Sequence, residues 1–201
     1  MVMQLIAENL ALERGGRRIV EGLAFQVAAG EALVLTGPNG AGKSTLIRGI
    51  AGFLSPAAGS IRLEGGAAET EIAEQCHFVG HRDGVKSALS VRENAAFASN
   101  YLGDGDDVAP ALERLGLAAL AAVPAAYLSA GQRRRLGLAR LLLARRPLWL
   151  LDEPTVSLDA ASVVTLASIV KEHLATGGLV VAATHVPLGL DGARELRLQA
   201  A

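Results

Sequence analysis

The stretch EALVLTGPNGAGKSTLIRGIAGFL, residues 31–54, decides how this chain folds. It opens with the apolar run Ala32–Thr36, which is typical of a short strand buried in a sheet. Residues 37–44 then match the pattern G-x-x-x-x-G-K-[S/T]. Apolar residues follow at helical spacing: Leu46, Ile47, Ile50, Ala51 and Leu54. The order strand, glycine loop, helix is the context that this phosphate-binding pattern requires.

The residue types in this loop explain what it binds. Glycines allow backbone angles that turn successive N–H groups inward around phosphate oxygens, and the helix start adds its positive dipole end. We expect Lys43 to bring a full charge to the β- and γ-phosphates, and the Ser44 hydroxyl to ligate Mg²⁺. The predicted nucleotide-binding set is Gly37, Pro38, Asn39, Gly40, Ala41, Gly42, Lys43, Ser44 and Thr45.

Composition narrows the remaining possibilities. The 201 residues suffice for one domain with a sizeable core. A net charge of −1 and an aromatic content of 3% argue against a nucleic-acid partner. The single cysteine, Cys76, has no internal disulfide partner and is interpreted as a buried, inert thiol. No apolar run reaches the length of about 18–20 residues that a membrane-spanning helix needs.

The segment PLWLLDEP, residues 147–154, carries the predicted metal and catalytic carboxylates. Its apolar residues predict another buried strand, which ends at Asp152 and Glu153. Ligands gather at the carboxyl ends of parallel strands, so we expect Asp152 beside Ser44, holding Mg²⁺ mostly through water. Glu153 is predicted to polarise the water that attacks the γ-phosphate. The alternative is a surface Asp-Glu turn before a proline.

A third apolar strand with a polar end is predicted in LVVAATH, residues 179–185. His185 is therefore predicted to contact the γ-phosphate, although a single histidine is more often an ordinary polar group. His173 falls in a helical pattern and is expected on the surface.

The stretch LSAGQRRRLGLARLLLARR, from Leu128, predicts a helix that begins after Ser129, a good N-cap residue. Leu136, Ala139 and Leu143 form its expected buried stripe. The basic residues around that stripe are expected to face solvent: Arg133, Arg134 and Arg140. On this pattern alone, the segment is a capped amphipathic helix.

Taken together, these motifs resemble the ATP-binding subunits of ABC transporters. GPNGAGKST is similar to the Walker A loop, LWLLDE to Walker B, and LSAGQ to the family signature, with Ala130 in place of the usual glycine. SLD, residues 157–159, resembles the loop after Walker B. The resemblance implies an α/β P-loop NTPase cassette: an antiparallel edge, a mostly parallel sheet and an inserted helical lobe. We expect one domain, with residues 1–80 and 146–201 as the nucleotide-binding core and 81–145 as the lobe.

The resemblance also implies how the chain works. In such cassettes two copies stack head to tail around ATP and Mg²⁺, so Ser129, Gly131 and Gln132 would contact the nucleotide held by the other copy. Integral membrane transporter subunits would be the further partners. The chain would then lie at the cytoplasmic face of the bacterial inner membrane as a peripheral ATPase. Losing Glu153 should remove the base yet spare binding.

Two departures from the family pattern stand out. No aromatic residue lies where the family stacks on adenine, and Arg14 is the expected occupant there. His81 stands where most cassettes have a glutamine, on the flexible loop that joins the core to the helical lobe, and it is either a tolerated polar replacement or a tuned one.

The details of the sequence narrow the resemblance further. GH followed by DGVK, the spelling LSAGQRRR and the short segment after His185 resemble the haem-exporter ATPase subunits of bacterial cytochrome c maturation. The alternatives are an exporter ATPase for another substrate, a soluble non-transport ABC ATPase, a small-molecule P-loop kinase and a cassette that binds ATP without turnover.

Overall fold

Two β-sheets form the framework of the computed structural model, which describes residues 2–103, 105–184, 188–190 and 192–199. The first sheet is antiparallel, with the strand order β2–β1–β4. Its strands are β1 (Gln4–Arg14), β2 (Arg17–Ala28) and β4 (Ala58–Glu64). β1 lies in the centre and pairs with both neighbours.

The second sheet is parallel throughout its described strands, with the order β5–β6–β7–β3–β8. These strands are β3 (Ala32–Thr36), β5 (Cys76–Val79), β6 (Leu148–Asp152), β7 (Leu179–Ala183) and β8 (Arg194–Arg197). Every residue of β6 and β7 is buried, as continuous apolar runs predict. The predicted combination of antiparallel and parallel strands is present, and the antiparallel strands form a sheet of their own.

The parallel arrangement brings the site-bearing strand ends to one edge of the second sheet. β3, β6 and β7 all end there, and helix α1 (Lys43–Ile50) starts just beyond β3. The apolar side of α1, Leu46, Ile47 and Ile50, is buried in the core between the two sheets.

Among the described residues between β5 and β6, all regular elements are helical. They are α2 (Val91–Leu102), α3 (Ala109–Arg114), α4 (Ala130–Leu138) and α5 (Arg140–Leu143), with short 3-10 turns at Ala118–Leu120 and Ala125–Tyr127. The predicted buried stripe of this region is confirmed, since Leu136, Ala139 and Leu143 are each at most 6% exposed. Helix α6 (Ala160–Ala175) connects β6 to β7. None of the described helices is long and apolar enough to cross a membrane.

The prediction of a solvated basic face and the prediction of a surface His173 are wrong. Arg134 is buried, and Arg133 and Arg140 are half-buried. His173 is half-buried and stacks on Trp149 with a ring-centroid distance of 3.8 Å, so it is not a surface residue. In both cases a helix is covered on more than one side, which a single apolar stripe does not reveal.

Cys76 is half-buried, and burial raises the pKa of its thiol to about 11. A thiol with so high a pKa stays protonated at neutral pH, and the thiolate is the reactive form. The structure therefore agrees with the interpretation of Cys76 as inert.

Candidate nucleotide site

The glycine loop between β3 and α1 has a backbone that other residues would not tolerate. Gly37, Gly40 and Gly42 have φ angles of 129°, 86° and 97°. A Cβ on Gly37 would lie 2.2 Å from the carbonyl oxygen of Leu198, and a Cβ on Gly42 would lie 2.8 Å from Cγ2 of Ile19. The loop is therefore fixed by β2 on one side and by the end of β8 on the other.

Lys43 holds its charge inside this loop. The residue is 9% exposed, and Nζ donates to the carbonyl oxygens of Gly37 (2.7 Å) and Pro38 (3.1 Å). Helix α1 starts at Lys43 without a side-chain cap, because the preceding residue is Gly42. The first N–H groups of a helix need external acceptors, so a positive ammonium and an uncapped helix start face the same anion site.

Ser44 and Asp152 lie side by side, as expected from the strand order. Ser44 Oγ donates to Asp152 Oδ1 at 2.9 Å across 108 positions of sequence. Asp152 is 1% exposed, and among the described residues its second oxygen, Oδ2, has no hydrogen-bond partner. A buried carboxylate oxygen without a partner is costly unless a cation or donor satisfies it. Together with a hydroxyl, it is a donor set that fits Mg²⁺.

Glu153 follows directly after β6 and is half-buried. Its φ angle of 50° lies in the left-handed region, which is uncommon for a residue other than glycine. Its backbone N–H donates to the carbonyl oxygen of Ala183, at the end of β7, with a distance of 2.8 Å. Glu153 is therefore tied to the same edge of the sheet as Asp152.

One cavity of about 710 Å³ is lined by six of the nine predicted loop residues, Asn39, Gly40, Gly42, Lys43, Ser44 and Thr45, whereas Gly37, Pro38 and Ala41 are not part of its lining. Arg14 and His81, which are both exposed, also line this cavity, together with Lys43, Asp152 and Glu153. Thus the two positions that depart from the family pattern share a cavity with the phosphate loop and with both carboxylates.

The signature residues lie elsewhere in the same chain. Ser129 is exposed and caps α4, because its hydroxyl accepts from the Gln132 backbone N–H at 3.2 Å, while Gln132 Oε1 accepts from the Ser129 N–H at 2.8 Å. A Cβ on Gly131 would lie 2.8 Å from the carbonyl oxygen of Ser157, so α4 starts directly against the SLD loop. Among the described residues that line the cavity, none belongs to this helix start.

His185 lies outside the described residues. Its proposed contact with the γ-phosphate stays a prediction.

Five residues of the site were missed by sequence reasoning. Ile19, Thr155 and Val156 line the cavity. Leu198 closes over Gly37, and Arg134 donates to the backbone carbonyl oxygen of Glu153 at 2.8 Å. A signal for Arg134 exists, since Arg134, Leu138 and Leu141 recur at helical spacing and are all buried. No local pattern marks Leu198 or Ile19 as parts of a nucleotide site.

A core strand that leads through a glycine loop into an uncapped helix, opposite a buried aspartate, defines a P-loop nucleotide-binding protein. The family model described as ABC transporter matches residues 20–156. This chain belongs to the ABC transporter family, as an ATP-binding subunit, and within that family it groups with the proteins named CcmA. It is thus an ATPase of the class that is coupled to transport.

The relatives match along nearly the whole chain. The cytochrome c biogenesis ATP-binding export protein CcmA of Rhodopseudomonas palustris (strain BisB5) is 54% identical over 99% of this chain and 100% of its own length. The protein of the same name from Bradyrhizobium diazoefficiens is 52% identical over 98% of each chain.

Solved structures agree with the fold. A structure of the ATP-binding subunit of an ABC transporter has a TM-score of 0.84 at 23% identity, over 98% of this chain and 87% of that one. The ADP conformation of an ABC transporter cassette has a TM-score of 0.80 at 23% identity, over 100% of this chain and 90% of that one. At these identities they establish the fold that the two sheets and helices already indicate.

Proposed function

We propose that this chain is the ATP-hydrolysing motor of an exporter that serves cytochrome c biogenesis, with haem as the exported group. Relatives at 54% and 52% identity, matched end to end, are named as ATP-binding export proteins of cytochrome c biogenesis, and this is the observation that supports the assignment. The haem cargo rests on the sequence resemblance to haem-exporter ATPase subunits.

For the nucleotide, we propose that residues 37–45 bind the phosphates of ATP. Lys43 supplies the charge from within the loop, where its Nζ lies 2.7 Å from the Gly37 carbonyl oxygen. Ser44 and Asp152 would hold Mg²⁺, which would neutralise part of the phosphate charge. The support is the 2.9 Å contact between these two side chains and the partnerless Asp152 Oδ2 within the described chain.

We further propose that Glu153 polarises the attacking water. It shares the cavity with Lys43 and Asp152, and its backbone is held at the sheet edge. His81, which also lines the cavity, and His185 would contact the γ-phosphate or that water. Arg14 would lie against the base, where a guanidinium can stack in place of an aromatic ring.

A second copy of the chain completes the site in this proposal. Ser129, Gly131 and Gln132 are absent from the cavity of their own chain within the described residues, and Ser129 is exposed. In a head-to-tail pair, the α4 start of one copy would face the nucleotide in the other. The helix dipole and the Ser129 hydroxyl then point at the γ-phosphate.

Membrane subunits are the other partners of an ABC transporter ATP-binding subunit, and we propose that they dock on the surface around residues 81–89 and α2. Phe97 and Tyr101 of α2 are 47% and 76% exposed and stack on each other at 5.8 Å. Lys86 lies 4.3 Å above the Phe97 ring, which joins the two parts of this surface. Exposed aromatic rings of this kind often mark contact surfaces.

We also propose that the chain is divided into two lobes. Residues 1–80 and 146–201 would form the nucleotide-binding core, and residues 81–145 would form a helical lobe that moves with the membrane subunits. The protein would then be peripheral, at the cytoplasmic face of the bacterial inner membrane.

The test is a pull-down of the tagged chain from detergent-solubilised membranes, followed by identification of its partners and an assay of free phosphate release. We expect membrane subunits of a cytochrome c biogenesis system, with ATP turnover. Subunits of another exporter would reject haem as the cargo. Ribosomes or DNA in place of membrane proteins would favour a non-transport ABC ATPase, and a phosphorylated small molecule would favour a kinase.

A further inference from the structure

Arg134 is a charged side chain in the interior of the protein, with a residue exposure of only 4%. Its guanidinium donates to four oxygens on two segments. Nη2 and Nε reach the carbonyl oxygens of Glu153 (2.8 Å) and Pro154 (3.1 Å), just after β6. Nη1 reaches the carbonyl oxygen of Gly80 and the carboxylate of Asp83, both at 2.7 Å, just after β5. One side chain of α4 therefore ties together the two segments that carry Glu153 and His81.

The backbone of Glu153 is held from both sides. Its N–H donates to Ala183 of β7, and its carbonyl oxygen accepts from Arg134. The left-handed φ of 50° is disfavoured for glutamate and persists only where the surroundings impose it. The direction in which the Glu153 side chain leaves the strand end thus depends on these two hydrogen bonds.

The hydrogen bonds from Arg134 to Gly80 and Asp83 hold the loop after β5 against α4. A Cβ on Gly137 would lie 2.7 Å from the Cβ of Asp83, so the helix and this loop are in direct contact. Arg140 Nη2 also donates to the Asp83 carbonyl oxygen at 2.6 Å. The loop that contains His81 therefore cannot shift without α4, and α4 cannot shift without disturbing the donor to Glu153.

We propose that Arg134 is a positioning residue for ATP hydrolysis. Through Arg134, the orientation of Glu153 depends on the position of α4. The first turn of α4 carries Ser129 and Gly131, so a shift of this helix changes the signature surface and the Glu153 peptide together. This inference rests on the proposed role of Glu153 as the group that polarises water. Arg134 is not among the described residues that line the cavity; it would act through the backbone of Glu153.

The first experiment separates positioning from mere stabilisation. Arg134→Gln, Arg134→Lys and the matched control Arg135→Gln are compared in the full chain with its co-purified membrane subunits. Arg135 lies on the same helix and donates to the Leu115 carbonyl oxygen, away from Glu153. We expect Arg134→Gln to lower kcat about ten- to hundredfold while ATP affinity stays within about twofold.

The remaining variants extend this comparison. Arg134→Lys should recover part of kcat, because an ammonium keeps the charge and reaches some of the acceptors. Arg135→Gln should lower the melting temperature and leave kcat within about twofold. A folded Arg134→Gln protein with native kcat overturns the proposal, and so does a loss of kcat in Arg135→Gln as large as that in Arg134→Gln.

A double-mutant cycle tests whether the effect runs through Glu153. If it does, Arg134→Gln should cost nothing further in a Glu153→Gln background, measured by single-turnover hydrolysis. Independent, multiplicative losses overturn the inference. Native turnover of Glu153→Gln alone would instead reject the role of Glu153, and is therefore a separate failure.

If Arg134→Gln does not fold, Asp83→Asn provides the test. It keeps the shape of the side chain and weakens only the loop end of the network. We expect kcat about three- to tenfold lower with an unchanged KM for ATP. An unchanged kcat in this folded variant overturns the proposal.

Discussion

Helices α1 and α4 both begin after a small residue, but they differ in whether a side chain caps their first N–H groups. α1 follows Gly42 and has no side-chain cap, whereas α4 follows Ser129 and is closed by reciprocal hydrogen bonds with Gln132. The α1 start is buried beside Lys43 and Asp152, while Ser129 is exposed. The first turn of α1 thus has no side-chain cap, whereas the first turn of α4 is capped by side chains of its own chain.

The cap of α4 still leaves a group for a second ligand. The Ser129 hydroxyl accepts from the Gln132 N–H, so its own proton remains available to donate to a phosphate oxygen. Helix α2 has the same kind of cap, Ser90 with Glu93, but there the third helical residue is charged. A neutral Gln132 in α4 lets an anion approach, which a glutamate at that position would repel. In the proposed head-to-tail pair, the α1 start would bind the nucleotide of its own chain, and the α4 start would contact the nucleotide of the partner copy.

The largest expected effect comes from a change that touches neither helix start. Glu153→Gln should lower ATP turnover about a hundred- to ten-thousandfold and spare ATP binding, because it would remove the proposed base and keep the shape of the side chain. The uncleaved nucleotide should then hold two copies together, as size-exclusion chromatography with light scattering would detect. A monomer with bound ATP would show that the two helix starts do not meet.

Lys43→Ala changes the first residue of α1. Removing the charge inside the loop should weaken ATP binding about a hundredfold, or about 2.7 kcal/mol, by isothermal titration. Lys171→Ala, an exposed lysine of α6, is the control and should bind normally. Undiminished affinity in Lys43→Ala would contradict the phosphate-loop assignment.

Gln132→Glu makes the cap of α4 like that of α2. The helix should keep its stability, because glutamate forms the same capping box. The ATP-dependent dimer in a Glu153→Gln background should weaken about tenfold or more, since a carboxylate would face the γ-phosphate of the partner copy. Sedimentation velocity at increasing protein concentration measures this, and an unchanged dimer constant would argue against the trans contact.

Ser129→Ala and Ser90→Ala form a matched pair. Each removes one capping hydroxyl and should lower stability by about 1 kcal/mol, measured by urea unfolding. Only Ser129→Ala should also weaken the ATP-dependent dimer, by about three- to tenfold, because only this hydroxyl would donate to phosphate. If both substitutions weakened the dimer equally, Ser129 would act only as a helix cap.

The smallest effect is expected at Arg14. Arg14→Ala should weaken ATP binding only about three- to fivefold, because an exposed guanidinium stacking on a base contributes modestly. Arg17→Ala, on the same hairpin, is the control. The ratio of ATP to GTP affinity in the native protein, from competition binding, is the sharper measure, since a guanidinium distinguishes bases weakly. A strong preference for ATP that survives Arg14→Ala would place base recognition elsewhere.

Much of this site was predictable because its signals are local. The glycine loop, the apolar runs that became β3, β6 and β7, and the cap at Ser129 each follow from neighbouring residues. The proximity of Ser44 to Asp152 was predicted from strand order, since parallel strands end at one edge. The solvated role expected for Arg134 failed because burial of a polar side chain depends on which distant carbonyl oxygens reach it.

By itself, the sequence determined that a phosphate-binding loop joins a buried strand to a helix and that two carboxylates end another strand. Backbone torsions and apolar periodicity decide such features within a few residues. Only the tertiary structure decided that Leu198 lies over Gly37, that β7 separates β3 from β6, and that Arg134 supports Glu153. Those contacts join residues that are far apart in the chain, and their energy depends on burial and donor geometry that exist only once the sheets and helices have packed.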